Sequence, residues 1–203
     1  MQKHTETTTD WIFCTTAKYT QNIIMVELNE KVAELETLAA FDMLSGGPPD
    51  FQLHLDLNLA RNEQDPKTSG RVFLDAPRQS GKSTFLLKTH LLNQCPSVLI
   101  TYKYIHVIAA KQRASEMMGN SPHDWKNIIT VDQFIQPGTV NKLNEQRIRL
   151  VLFDDIDLNH SSSYDDIEET VSRMRERTLL FGLGTASVLR SHRSNTFRAK
   201  KRR

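Results

Sequence analysis

The stretch that decides the fold runs from residue 72 to residue 84 and reads VFLDAPRQSGKST. Its first part, Val72–Asp75, is a short apolar run that ends in an acid, which predicts a buried strand. Residues 76–83 follow at once and end in Gly-Lys-Ser, and an apolar helical segment begins with Thr84. A strand, a loop that ends in Gly-Lys-Ser and a helix form the order of a phosphate-binding P-loop.

Each residue type in this loop has a use in binding phosphate. The loop N–H groups and the helix N-terminus point toward the anion, and Gly81 permits close approach where a Cβ would collide. Lys82 places a positive charge at the β- and γ-phosphates, and the Ser83 hydroxyl can ligate Mg²⁺. The first loop position holds Ala76 where the strict pattern has glycine, and a small residue fits there. The predicted nucleotide-binding residues are Ala76, Pro77, Arg78, Gln79, Ser80, Gly81, Lys82, Ser83 and Thr84.

A second motif supplies carboxylates. Residues 150–155 read LVLFDD, the Walker B form of four apolar residues followed by acids. We predict that Asp154 holds Mg²⁺ through water, because an acid at the end of a parallel strand faces the phosphate crevice. Asp155 stands where many ATPases have a Glu that polarises the attacking water, so it is a candidate catalytic residue. The Asp155 side chain is one methylene shorter than that of glutamate. We therefore expect either slow hydrolysis or a contribution from Asp157 to the same role. A core strand that ends in a solvated acidic turn is the structural alternative.

Three further apolar segments, 98–102, 128–131 and 179–182, alternate with helical stretches. Strands that are apolar on both faces and joined by helices predict a parallel α/β sheet. Together with the loop, they predict a three-layer P-loop NTPase fold. Thr185 or Ser187, just after the last strand, could sense the γ-phosphate by hydrogen bonding, although an ordinary strand-end turn explains these residues equally well.

The N-terminal part has two patterns of its own. Apolar positions in residues 23–44 recur at three- and four-residue steps, which predicts an amphipathic helix that the Ser-Gly-Gly-Pro-Pro run at 45–49 stops. Residues 51–59 alternate strictly between apolar and polar side chains, which predicts an edge strand with His54 on its solvated face. We therefore divide the chain into residues 1–49, a P-loop domain at 50–189 and a tail at 190–203.

Composition excludes several classes of protein. The chain has 203 residues, of which 25% are charged and 38% are hydrophobic, so one domain with a real core is expected. Two cysteines, Cys14 and Cys95, exclude a disulfide scaffold and a cysteine-rich zinc site. The polar N-terminus does not read as a signal peptide, and no apolar run is long enough to cross a membrane. These features predict a soluble, intracellular protein.

The charge is distributed unevenly. The net charge of +2 conceals a tail, RSHRSNTFRAKKRR, with seven basic residues and no acid. Residues 1–189 hold 19 basic and 24 acidic residues, a charge of −5. We interpret the tail as a basic arm for nucleic acid phosphates or as a nuclear address, with a solvated tail as the alternative. Its predicted nucleic-acid contacts are Arg190, Arg193, Arg198, Lys200, Lys201, Arg202 and Arg203.

The loop, with Pro-Arg-Gln before Gly-Lys-Ser, resembles the ATPase domain of viral DNA-packaging terminase large subunits. Phe-Asp-Asp at 153–155 and Gly-Thr-Ala-Ser at 184–187 resemble their Walker B and coupling motifs, and related helicases share this core. The resemblance covers about residues 50–189. It implies a Mg²⁺-dependent ATPase that acts with double-stranded DNA, as a homo-oligomer or in a larger assembly, in the host cytoplasm or nucleus. It also implies that Arg78 stabilises the transferring phosphate, which suits a guanidinium group.

The chain departs from these families in length. Terminases continue into a metal-dependent nuclease domain and helicases into a second motor domain, and 203 residues hold neither. We therefore expect an ATPase without a nuclease domain, with weak activity unless a partner completes the site.

Two other functions remain open. A small nucleoside or nucleotide kinase would have a similar length, with Arg173, Arg175 and Arg177 as a phosphate-clamping lid. A non-hydrolysing nucleotide- or DNA-binding assembly module is the third function.

Overall fold

The structure, a computed structural model, is an α/β fold in which helices alternate with the strands of one sheet. It describes residues 9–65, 70–77, 79–154, 161–174 and 178–184. The strands are β1 Arg71–Asp75, β2 Ser97–Thr101, β3 Ile128–Thr130, β4 Leu150–Asp154 and β5 Leu179–Gly184. The helices are α1 Thr9–Leu44, α2 Phe51–Gln64, α3 Lys82–Leu92, α4 Tyr104–Met118, α5 Val131–Phe134, α6 Pro137–Glu145 and α7 Ser161–Ser172, with a 3₁₀ turn at Pro122–Asp124.

The five described strands form a single, all-parallel sheet in the order β1-β5-β4-β2-β3. All five coincide with segments that the apolar runs predict, so the parallel α/β prediction is confirmed. One strand, β5, lies between β1 and β4. The strand before the Gly-Lys-Ser loop and the strand that carries Asp154 are therefore separated by a single neighbour and end at the same edge of the sheet.

Helices cover both faces of this sheet. On one face Val98, Ile100, Val151 and Phe153 pack against α5, α6 and α7. On the other face Leu99, Leu150 and Leu152, with strand residues of β1 and β5, pack against α2, α3 and α4. Successive strand residues thus enter opposite cores, which is why the polar residues of the strands lie at the strand ends. The arrangement is compatible with three layers.

The strand predicted at 51–59 is wrong, because this segment is the first part of α2. Asp50 caps the helix by accepting hydrogen bonds from the N–H groups of Gln52 and Leu53. The helix is apolar on two sides: Phe51 and Leu55 enter the core beneath the sheet, whereas Leu57 packs against α1. Two helical stripes offset by two residues merge into an apparent period of two, which imitates a strand. The observed edges of the sheet are β1 and β3.

The predicted N-terminal helix is confirmed at its end and begins earlier than expected. α1 ends at Leu44, as the Gly-Pro run indicates, but it begins at Thr9 rather than near residue 23. His54 is another correction, because the turn that reverses the chain brings α2 beside α1. The His54 side chain is buried, and its Nε2 lies 3.0 Å from Oδ2 of Asp42.

No helix within the described ranges is both long and apolar enough to cross a membrane. The division of the chain at residues 49/50 and 189/190 stays a prediction.

Candidate functional site

The candidate site lies at the edge of the sheet where β1, β5 and β4 end. Asp75 is in register with Gly184 of β5, and Asp154 of β4 is in register with Leu183. The Gly-Lys-Ser loop leaves β1 at this edge and enters α3 at Lys82. In parallel sheets, ligands bind outside the carboxyl ends of the strands, so the loop lies where the fold class places a site.

The loop backbone contains two left-handed residues. Gln79 has φ of +65° and Gly81 has φ of +82°, and Gly81 is the N-cap residue of α3 without a side-chain cap. A backbone that alternates between left- and right-handed residues turns successive N–H groups toward one point. No described atom lies within 4 Å of the Cβ position of Gly81. Within the chain itself the positive φ, rather than a collision, is therefore what requires glycine there.

Lys82 projects into the concave side of the loop. Its side chain is buried, and Nζ donates hydrogen bonds to the carbonyl oxygens of Ala76 and Pro77, each at 3.2 Å. Both acceptors belong to the first two residues of the loop, so the ammonium group spans the loop from its end to its beginning. A buried ammonium needs polar partners of this kind. The arrangement fixes a positive charge at the place where the loop curves.

The decisive contact joins the two motifs. The Ser83 hydroxyl, on the first turn of α3, donates a hydrogen bond of 3.0 Å to Oδ1 of Asp154 at the end of β4. These residues are 71 positions apart in the chain. A hydroxyl and a carboxylate are the hard oxygen donors that Mg²⁺ prefers, and Mg²⁺ in nucleotide sites takes only one or two protein ligands. The pair that the sequence assigns to metal is thus in direct contact.

No group of three or more His, Cys, Asp and Glu side chains that could hold a metal ion occurs among the described residues. Ser83 and Asp154 are hard oxygen donors, of the kind that bind Mg²⁺ together with phosphate and water.

Ser80 adds an unexpected feature. Its Oγ is buried and has no hydrogen-bond partner in the described part of the chain. Most buried hydroxyl groups are hydrogen-bonded, so an orphaned one needs an explanation. An anion bound in the loop would supply such a partner, and the role of Ser80 as a nucleotide-binding residue stays a prediction. Thr84, exposed on the first turn of α3, is at the same end of the helix.

Thr101 was not singled out from the sequence. It ends β2, is in register with Asp154 and is buried, and its hydroxyl donates to the backbone oxygen of Lys103 at 3.3 Å. It therefore lies beside Asp154 on the neighbouring strand. The polar residue at the end of the predicted strand 98–102 was the available signal. The polar end of β3 has a structural role: Thr130 and Gln133 form a capping box that starts α5.

Several predicted residues lie outside the described residues. They are Arg78, Asp155, Asp157, Arg175, Arg177, Thr185, Ser187 and the whole tail, with Arg190, Arg193, Arg198, Lys200, Lys201, Arg202 and Arg203. Their roles stay predictions. Arg173, the described member of the arginine lid considered for a kinase, forms an ion pair with Glu169 one turn before it on the exposed side of α7.

A scan against protein-family models finds no match to this chain, and a search of curated proteins finds no similar sequence.

Proposed function

We propose that this chain is a P-loop ATPase that binds Mg-ATP at residues 76–84 and acts with nucleic acid, similar to terminase and helicase motors. The observation that carries the proposal is the hydrogen bond between Ser83 and Asp154. A loop sequence alone matches many turns by chance. Contact between the loop serine and the acid that ends β4 supports the proposal, because phosphoryl transfer uses a serine and an acid of this kind to hold Mg²⁺.

Three observations support the binding of a triphosphate. Gln79 and Gly81 have positive φ, Lys82 Nζ donates to the carbonyl oxygens of Ala76 and Pro77 at the start of the loop, and the buried Ser80 hydroxyl has no hydrogen-bond partner among the described residues. Their common feature is that they bring hydrogen-bond donors to a loop that contains no acidic residue at positions 76–84. Such a surface fits an anion with several oxygens.

The residues then divide the chemistry between them. Lys82 neutralises charge on the β- and γ-phosphates, while Ser83 and Asp154 hold Mg²⁺. A bound Mg²⁺ would neutralise charge on the β- and γ-phosphates. Arg78 is proposed to stabilise the charge that spreads over the transferred phosphoryl group, and Asp155 to orient the attacking water. Thr185 or Ser187 is proposed to sense the γ-phosphate.

The partner is proposed to be double-stranded DNA. The seven basic residues at 190–203 provide phosphate contacts that do not depend on sequence. A motor of this kind acts inside the cell, and its activity is expected to depend on DNA or on assembly with further subunits.

ATP turnover measured with and without duplex DNA tests this function. The wild-type chain should release phosphate in the presence of Mg²⁺, faster with DNA, and Asp154→Asn should abolish turnover while the fold is kept. ADP release that depends on an added nucleoside would instead identify a kinase. ATP binding without turnover under every condition would identify a non-hydrolysing module.

A further inference from the structure

Positive charge is concentrated in one part of an otherwise acidic chain. Residues 76–115 contain six Lys and Arg residues and no Asp or Glu. The rest of residues 1–189 holds 13 basic residues and all 24 acidic ones. The stretch without acids forms the Gly-Lys-Ser loop, α3, β2 and most of α4. A region of one charge sign within a domain of the opposite sign attracts an anionic partner.

The first three turns of α4 present part of this charge to solvent. We call the basic face of α4 the surface made by Lys103, Tyr104, Ile105, Ile108 and Lys111. Lys103 is exposed and Lys111 is half-buried, and within the described ranges no acidic side chain forms an ion pair with either. The single acid of α4, Glu116, lies on its last turn and accepts a hydrogen bond from Gln112 at 3.4 Å. Both lysines can therefore bind an outside anion without breaking an ion pair.

Three large apolar side chains stand between these two cations. Tyr104 is 66% exposed, Ile105 62% and Ile108 45%. Tyr104, Ile108 and Lys111 follow one another at steps of four and three residues, so they lie along one side of the helix. Single apolar residues on a surface need no explanation, whereas apolar residues on successive turns beside unpaired cations mark an interaction site.

We propose that the basic face of α4 binds a single strand of nucleic acid, with phosphates at Lys103 and Lys111 and a base stacked on Tyr104. A duplex offers its phosphates but encloses the faces of its bases, so it would leave the exposed apolar residues without a partner. An unpaired strand offers both phosphates and flat base faces, and proteins bind such strands by combining cations with aromatic side chains. Lys103 and Lys111 are about 12 Å apart along the helix axis, which a few nucleotides span.

The basic face begins beside the candidate nucleotide site. The Thr101 hydroxyl, at the end of β2, donates to the backbone oxygen of Lys103 at 3.3 Å, and Thr101 is in register with Asp154. A strand bound at Lys103 would therefore lie two residues from the neighbour of Asp154. The proposal extends the proposed action on nucleic acid to a second surface, distinct from the basic tail, and does not depend on ATP binding.

Fluorescence anisotropy of a labelled oligothymidylate, titrated with the full chain in the absence of ATP, tests the proposal. Tyr104→Ala should raise the dissociation constant about 5- to 150-fold without changing its salt dependence, because the variant loses stacking and no charge. Tyr104→Trp should keep the affinity. Lys103→Gln should weaken binding and reduce the slope of log affinity against log salt concentration by about 0.7. The matched controls are Phe41→Ala and Lys31→Gln, which change exposed residues of α1 and should have no effect.

The same oligonucleotide as a duplex separates this surface from the tail. Tyr104→Ala should leave the affinity for the duplex unchanged. Replacement of four tail residues by Gln in the full chain should weaken duplex binding and should preserve the loss that Tyr104→Ala causes with the single strand; these residues are Lys200, Lys201, Arg202 and Arg203. A single-strand affinity that Tyr104→Ala leaves unchanged would overturn the proposal and would leave the basic face as a docking surface for a protein. An equal loss with single strand and duplex would also overturn it. A failure of Mg-ATP binding would not alter these results, because no ATP is present.

Discussion

Replacement of Lys82 by alanine should weaken nucleotide binding without unfolding the chain. The Lys82 side chain is 6% exposed, and its Nζ lies 3.2 Å from two carbonyl oxygens of the loop, so the ammonium group is already inside the concave surface. A hydrogen bond to a charged group contributes about 1.5–3 kcal/mol. Loss of this interaction should therefore raise the dissociation constant of Mg-ATP about 10- to 150-fold.

The assay is titration with a fluorescent ATP analogue in the presence of Mg²⁺. The matched control is Lys88→Ala, which removes the same charge from an exposed position of the same helix and should leave the affinity unchanged. Circular dichroism of Lys82→Ala excludes unfolding as the cause. Equal affinities for wild type and Lys82→Ala would refute the placement of phosphate in this loop.

Three further predictions concern other parts of the chain. Truncation after Leu189 leaves a charge of −5 and should abolish salt-dependent binding to duplex DNA. Each lost phosphate contact should remove about −0.9 from the slope of log affinity against log salt concentration. Filter binding at two salt concentrations measures this slope, and an unchanged slope and affinity would exclude the tail as the contact. Burial lowers the pKa of His90 from 6.5 to about 4, so between these two pH values the unfolded chain binds more protons than the folded chain, and stability should decrease as the pH is lowered through this range, by up to about 1.4 kcal/mol per pH unit. Urea denaturation of His90→Gln should show a smaller pH slope, and an equal slope would contradict this origin. Gly81→Ala should lower the free energy of unfolding by about 1–2 kcal/mol, because φ is +82°, and should lower the Tm by about 2–8 °C. The control Gly138→Ala in α6 should not lower the Tm. Equal Tm values for the two variants would contradict a strained backbone at position 81.

The strands were predictable because burial leaves a direct trace in the sequence. A parallel strand with helices on both faces, such as Leu150–Asp154, must be apolar at every position except its end. The sequence of this strand does not reveal that its neighbours are β5 and β2. However, contact between Ser83 and Asp154 limits how far apart β1 and β4 can lie in the sheet.

The segment 51–64 was not predictable from periodicity, because α2 is buried on two sides. Phe51 and Leu55 pack in the core beside the sheet, whereas Leu57 packs against α1. The apolar residues of the two sides together therefore recur at every second position. The N-cap at Asp50 was the stronger local signal. The prediction for His54 was wrong for the same reason. It was placed on the solvated face of a strand, whereas its ring lies within hydrogen-bond distance of Asp42 on the neighbouring helix.

The residues of the candidate site could be named from the motif, whereas the geometry of the loop could not. The motif indicates Lys82 and Ser83, but the left-handed conformation of Gln79 and the orphaned hydroxyl of Ser80 depend on how the loop closes. Thr101 lies beside Asp154 only because β2 is the neighbour of β4 in the sheet.

The most direct test of the central claim is isothermal titration of the wild-type chain with ATP, in Mg²⁺ and in EDTA, repeated with Asp154→Asn. The account predicts one ATP per chain, with an affinity that Mg²⁺ strengthens in the wild type and leaves unchanged in Asp154→Asn, because Ser83 and Asp154 together hold the ion. Absence of ATP binding to the wild type, or an equal effect of Mg²⁺ on both proteins, would contradict it.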